Sequence, residues 1–305
     1  MGEPSIRPLR TIEEYRAAED LQHAVWRLHE REIVPDHVML TAQRHGGLAL
    51  GAFAPSGKMV GMLFGFLGTG DEALGERWLH CSHIMGVLPE WQGRGIGFRL
   101  KLAQRRWALH QGLKLIVWTY EPLESRNAAL NVGKLGAICR RYRRDLYGAM
   151  RDALNAGLPS DRLEVEWWIA SPHVRQRLEG ARPEHDPAAL DVPPANRVSW
   201  RADGLPVPSD VEGGWDGPAT LLEIPADFQG VRQSDMKLAE AWRQHTRNQF
   251  EAAFAAGYAA VDFIGHTDEA GVRRSYYLLR PAASLDLRPR PPASGSAPSS
   301  LKRDA

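Results

Sequence analysis

The sequence predicts an α/β fold, a mixed sheet flanked by helices with a smaller C-terminal α/β lobe, and three observations carry that prediction. Short β-branched and apolar segments alternate along the chain with segments whose apolar residues recur at helical spacing. Residues 77–107 run from a strand through a glycine-rich loop into the most regular helix of the chain. A stretch rich in proline, charge and small residues, 180–196, separates a long first region from a short second one.

The elements follow in order. Residues 6–9 suit a first strand, after which Thr11 and Glu14 have capping-box spacing and start a helix that turns Tyr15, Ala18, Leu21, Val25 and Leu28 inward. Residues 36–45 suit a short second helix. Segments 47–54 and 58–67 read as a hairpin, because Pro55, Ser56 and Gly57 between them supply turn chemistry. Residues 77–88 form a central strand, and the helix after the glycine loop has the buried stripe Ile96, Leu100, Ala103 and Trp107. Strands at 113–119 and 137–143 bracket a helix over 125–134, residues 145–156 read as helical, and Leu163, Val165, Trp167 and Ile169 alternate with Glu164 and Glu166 as in a half-buried strand. Beyond the linker come a strand at 220–224, a helix over 234–256 and a hairpin over 258–279. These boundaries divide the chain into 5–180, a linker at 181–196, a lobe at 197–280 and a tail at 281–305 whose composition predicts disorder.

Composition excludes several classes. With 305 residues, 43% hydrophobic and 25% charged, the chain has the balance of a soluble globular protein. A formal net charge of +1 argues against a partner that is nucleic acid or an anionic membrane. Cys81 and Cys139 show neither a disulfide framework nor metal-ligand spacing, which predicts no metal and a reducing, cytoplasmic setting. The start of the chain does not read as a secretion signal, and no apolar run reaches bilayer length.

The loop at 92–97 carries the chemistry. Its glycines let backbone amides approach a phosphate while the helix N-terminus adds partial positive charge. Neither the dinucleotide nor the Walker spacing fits, and glycines that merely permit a tight strand-to-helix turn are the alternative. Gln92-Gly93-Arg94-Gly95-Ile96-Gly97 resembles the signature of the GNAT superfamily, Gln or Arg, two residues, Gly, one residue, then Gly or Ala; Val87-Leu88-Pro89-Glu90 resembles its usual approach. The element order over 5–170 is similar as well. Residues 117–137 and 158–169 further resemble a bacterial branch of predicted GNAT proteins, some associated with N-succinylation of amino acids. The resemblance implies a GNAT-type, mostly antiparallel central sheet and an N-acyltransferase that moves an acyl group from acetyl-CoA or succinyl-CoA to a small-molecule amine, possible acceptors including amino acids. It implies that Met85, Gly86 and Val87 line the pantetheine arm, that Gln92, Gly93, Arg94, Gly95, Ile96 and Gly97 hold the pyrophosphate, and that Asn127 meets the cofactor. It also implies a homodimer.

Acyl transfer to an amine needs a base for the ammonium proton and an acid for the departing thiolate. Cys81, His83 and Met85 share one strand face, the face on which the family places its base, so His83 is the first candidate; a histidine hydrogen-bonded inside the sheet is the alternative. Glu121, just past the end of its strand, suits a base or a binder of the acceptor's ammonium, and equally a surface carboxylate. Many relatives carry a tyrosine acid where this chain has Val132. Tyr147, or Tyr142, is left as the phenol, with packing as the alternative for each. Arg140, Arg141, Arg143 and Arg144 suit either a carboxylate clamp or a charged edge strand, and one of Trp167 and Trp168 suits the core while the other lines a cleft or meets the second lobe. Arg94, Arg99, Lys101, Arg105 and Arg106 read as one basic helix face toward solvent or phosphate. A coenzyme A-binding module without catalysis, acting as a sensor or interaction partner, is the rival reading.

Overall fold

The computed structural model describes residues 2–26, 32–148, 157–180, 187, 190–211 and 215–287. The chain opens with β1 (Ser5–Pro8), α1 (Ile12–Trp26), α2 (Asp36–Arg44), β2 (Leu48–Phe53) and β3 (Met59–Thr69). It continues through β4 (Trp78–Val87), α3 (Ile96–His110), β5 (Leu115–Tyr120), α4 (Ser125–Ala128), β6 (Ile138–Arg143), β7 (Arg162–Trp168) and α5 (Pro172–Leu178). The C-terminal region adds β8 (Asn196–Trp200), β9 (Pro206–Asp210), β10 (Thr220–Ile224), α6 (Phe228–Ser234), α7 (Met236–Ala255), β11 (Tyr258–Thr267) and β12 (Arg273–Pro281).

Ten strands form one mixed sheet in the order β1-β2-β3-β4-β5-β7-β6-β11-β12-β10. Among the described strands of this sheet only the β4–β5 pair is parallel; every other neighbouring pair is antiparallel. The C-terminal α/β region is present as expected, and its strands extend the same sheet: β11 meets β6 at Ala260 and Cys139, and β12 and β10 follow. Strands β8 and β9, which period-two reading misses because Pro206 and Pro208 interrupt it, pair as a separate ribbon.

Helices cover the sheet through the apolar stripes the sequence shows. Helix α1 buries Tyr15, Ala18 and Leu21 against Leu50, Leu63 and Met62, and each such large side chain contributes about 1.5–3 kcal/mol by leaving water. Its start is fixed by Glu14, whose carboxylate takes the Arg7 guanidinium at 2.6 Å and the Arg10 amide at 2.7 Å. Leu28 lies outside the described residues. Helix α7 packs Trp242, Phe250 and Ala253 against Val165, Trp167 and Tyr277. On the opposite sheet face Trp168 packs with Leu221 and Leu278. Trp167 and Trp168 are therefore both core residues, on opposite faces, and the second of them meets the C-terminal region.

Three segments differ from expectation. Residues 145–148 form a turn, not a helix, because Asp145 takes a φ of +42° and its carboxylate caps Ser160; 149–156 lie outside the described residues. The helix expected over 234–256 is α7, and a short helix not expected, α6, precedes it; the two are separated where Asp235 turns to extended backbone and its carboxylate accepts from the Leu238 amide. In the C-terminal tail, Leu285 and Leu287 pack on the core beside Trp168, and 288–305 lie outside the described residues.

Candidate active site

Two strands that part company make the site. β4 and β5 are bonded at only two parallel pairs, His80 with Ile116 and Cys81 with Val117. Beyond them both strands continue, β4 to Val87 and β5 to Tyr120, so they form the arms of a V open toward their C-terminal ends. The glycine loop lies beyond β4 and α4 beyond β5, and one side chain ties the two. Gln92 donates to the Val87 carbonyl at 2.9 Å and accepts from the Arg126 guanidinium at 2.7 Å.

The loop has the geometry of an anion site. Gly93 and Gly95 take φ of +77° and +74°, conformations that cost an ordinary residue about 1–2 kcal/mol. Gly95 is the N-cap of α3 and brings no side chain to the helix end. The first helical hydrogen bond runs from Arg99 to the Gly95 carbonyl, so the amides of Ile96, Gly97 and Phe98 have no partner within the helix. A Cβ on Gly93 or Gly95 would meet no protein atom within 4 Å. Arg94 lies over the Trp91 ring at 4.9 Å, and Asn127 is exposed on α4. Along β4, Met85 and Val87 are half-buried, and Gly86 has the Trp26 ring so close that a Cβ would sit 2.6 Å from it.

His83 is the extra residue of a β-bulge. β3 and β4 pair Phe64 with Ile84 and then Gly65 with Ser82, which leaves His83 without a partner in the ladder. The bulge turns it out of the sheet, so His83 is exposed beside the rings of Phe64 and Phe66 at 6.2 and 5.8 Å, and the surrounding protein holds its imidazole below the usual histidine value. His80 points the other way and is fully buried against Trp107, with its pKa pushed down to about 3 by burial.

Tyr147 is brought to the other arm. Its hydroxyl is hydrogen-bonded to Thr119 Oγ1 at 2.9 Å, its ring lies 5.5 Å from the Arg162 guanidinium, and it is 57% exposed. Tyr142 instead donates to Asp161 at 2.7 Å and stacks on Phe250, and burial pushes its pKa up. Glu121 is drawn away from the V: Arg243 and Arg162 both bind its Oε2, and its Oε1 accepts from the Leu123 amide. Val132 is fully buried in the core.

The four clustered arginines are each spoken for, Arg140 by Glu166, Arg141 by Asp71 and Glu164, Arg143 by Glu164 and Arg144 by Glu251. These pairs brace the sheet. The expected basic face of α3 is not one face. Arg99 reaches the Pro4 carbonyl and Glu3, Arg105 reaches the Ile169 carbonyl, and Lys101 is turned inward and fully buried. The signal for this was a second stripe at helical spacing, Gly97, Lys101, Gln104 and Ala108, beside the apolar one. Among the described residues no group of His, Cys, Asp or Glu is placed to hold a metal ion, and no helix is long and apolar enough to cross a membrane.

The site is a glycine loop and helix start at the end of one arm of a split parallel strand pair in a mixed α/β sheet. Residues 10–136 match the model of the Acetyltransferase (GNAT) family. Solved structures resemble the chain at low identity. The ribosomal-protein-S18-alanine N-acetyltransferase from Escherichia coli is 17% identical, covering 54% of this chain and 94% of its own, with a TM-score of 0.42. An acetyltransferase of GNAT family from Streptococcus pneumoniae is 14% identical over 54% of this chain and 98% of its own, TM-score 0.43. NAA60 from Arabidopsis thaliana, in complex with a bisubstrate analogue, is 13% identical over 54% and 97%, TM-score 0.44. No curated protein sequence matches the chain.

Proposed function

We propose that the protein is an N-acyltransferase that takes an acyl group from acyl-coenzyme A and places it on an amine. The observation that carries this reading is the V between β4 and β5, with an amide-rich helix start at its mouth and an exposed histidine and tyrosine on its two arms. In this reading the amides of Gln92 through Gly97 hold the donor's pyrophosphate, Met85, Gly86 and Val87 line its pantetheine arm, and Asn127 touches it from α4. Acetyl and succinyl donors both suit such a mouth.

His83 takes the proton of the acceptor's ammonium, directly or through water, and the amine nitrogen then bonds to the thioester carbonyl carbon. As the carbon–sulfur bond breaks, Tyr147 gives its proton to the thiolate, and the proton shed by the nitrogen as it becomes an amide passes to solvent, from which the phenol is reprotonated. Glu121, held by two guanidinium groups, anchors the end of β5 and leaves the proton work to His83.

Calorimetry of the purified protein with coenzyme A, acetyl-coenzyme A and succinyl-coenzyme A tests this without knowledge of the acceptor. Binding that weakens sharply in Gly95→Trp supports the donor site. Absence of binding to all three overturns the reading and returns the glycines to a purely structural role.

A further inference from the structure

The closed end of the V holds a buried lysine without an acid. Lys101, 2% exposed, reaches from the second turn of α3 to the point where β4 and β5 separate. Its Nζ donates to Ser82 Oγ at 2.8 Å and lies 3.5 Å from the centre of the Trp118 ring. Ser82 and Trp118 are the immediate successors of Cys81 and Val117, the last bonded pair of the two strands. The amine therefore bridges the first unpaired residues of both arms.

Among the described residues no carboxylate is placed to pair with Lys101. Burying an ammonium beside one hydroxyl and one ring leaves two of its N–H groups and its charge uncompensated, which is costly in a dry layer. Burial accordingly holds its pKa well below the usual lysine value. The same layer has polar capacity to spare. His80 is two residues before Ser82 and Gln104 one turn beyond Lys101; both are fully buried, and neither has a hydrogen-bond partner. A layer furnished only for packing would carry leucines at these places.

Direction decides what meets this amine. The glycine loop lies at the open end of the V, so a donor whose pyrophosphate is bound there, and whose arm runs down β4 past Val87 and Met85, points its acyl group at the closed end. We infer that Lys101 and Ser82 form an acyl-end site for a terminal carboxylate, so that the preferred donor is the coenzyme A thioester of a short dicarboxylic acid. This rests on the acyltransferase reading above and adds the acyl class to it. The ligand's carboxylate supplies the missing anion, and the Lys101 amine holds it as an ammonium. No covalent step involves the lysine.

The test compares two donors of nearly equal length that differ at the acyl terminus, succinyl-coenzyme A and butyryl-coenzyme A, with coenzyme A itself as the reference. In the wild-type protein succinyl-coenzyme A is expected to bind on the order of tenfold or more tightly than butyryl-coenzyme A, as for a desolvated charge pair. Lys101→Met, which keeps the volume and removes the amine, is expected to abolish or reverse that preference while coenzyme A binds as before. Ser82→Ala, which takes away only the anchoring hydroxyl, is expected to narrow the preference, and it supplies the answer if the methionine variant does not fold. Equal binding of the two thioesters to wild type, or a preference that survives in both variants, overturns the acyl-end site while leaving the donor reading intact. Failure of coenzyme A to bind wild type removes the donor reading itself.

Discussion

His83 and Thr119 occupy matching places on the two arms of the V, each two residues beyond the last bonded pair, Cys81 with Val117. One arm thus carries an exposed imidazole set out by a bulge, and the other a hydroxyl that holds the Tyr147 phenol at 2.9 Å. In the proposed mechanism base and acid enter from opposite walls of the V. His83→Ala is expected to lower kcat about 10²- to 10⁴-fold, the usual range for a positioned general base, with donor affinity nearly unchanged because the loop at 92–97 is untouched. Turnover equal to wild type would remove His83 from the mechanism.

The pH profile carries the same assignment. His83 works as a base only when neutral, and its surroundings favour the neutral form, so its pKa lies below the usual value of about 6.5. The rate is therefore expected to rise with pH on an acid limb centred below about 6.5 and to level off by neutral pH, with any fall at alkaline pH belonging to the acid and not to His83. Measuring kcat/KM against pH checks this. An acid limb centred above about 7, or one that persists unchanged in His83→Ala, assigns the base elsewhere.

In the proposed mechanism Thr119 acts through Tyr147, as a positioning residue. Thr119→Val keeps the shape of β5 and removes the hydrogen bond, and it is expected to lower kcat about 10-fold while Thr119→Ser restores most of the rate. If the hydroxyl works only by aiming the phenol, Tyr147→Phe with and without Thr119→Val gives the same kcat, since the second change has nothing left to disturb. Additive losses would separate the two residues.

Much of this was legible in the chain and some was not, for physical reasons. Period-two strands, the glycine loop and the stripe of α3 announce themselves locally, because each depends on neighbours within one element. The bulge at His83 does not, since it arises from the register between β3 and β4. Nor does the fate of Glu121, whose partners Arg162 and Arg243 lie 41 and 122 residues away. Lys101 was misplaced because charge outranks position when a helix is read alone; only the sheet underneath shows that its stripe faces inward.

Glu121 gives a stability prediction in place of a catalytic one. Arg243 is buried, two of its guanidinium nitrogens have no partner, and Glu121 is the carboxylate that pairs with it. Glu121→Gln leaves that charge uncompensated and is expected to cost about 3–5 kcal/mol, the range for breaking a buried pair from one side. Chemical denaturation checks the value. A variant that keeps wild-type stability and loses activity would instead make Glu121 a catalytic group.

His80 extends the reasoning to acid stability. In the unfolded chain it takes up a proton below about 6.5, whereas in the folded chain burial beside Trp107 and the Lys101 amine keeps it neutral down to about 3. The unfolded state therefore binds more protons over that window, and stability falls as pH falls through it, by up to about 1.4 kcal/mol per pH unit for this one group. Above about 6.5 both states are neutral and the effect is absent. In His80→Leu the difference between variant and wild-type stability is expected to shift in the variant's favour with acidification from pH 6.5 to pH 4, measured as unfolding free energy in urea at each pH. A constant difference across that range would mean that His80 is protonated in the folded protein, with a water or an unassigned acid as its partner.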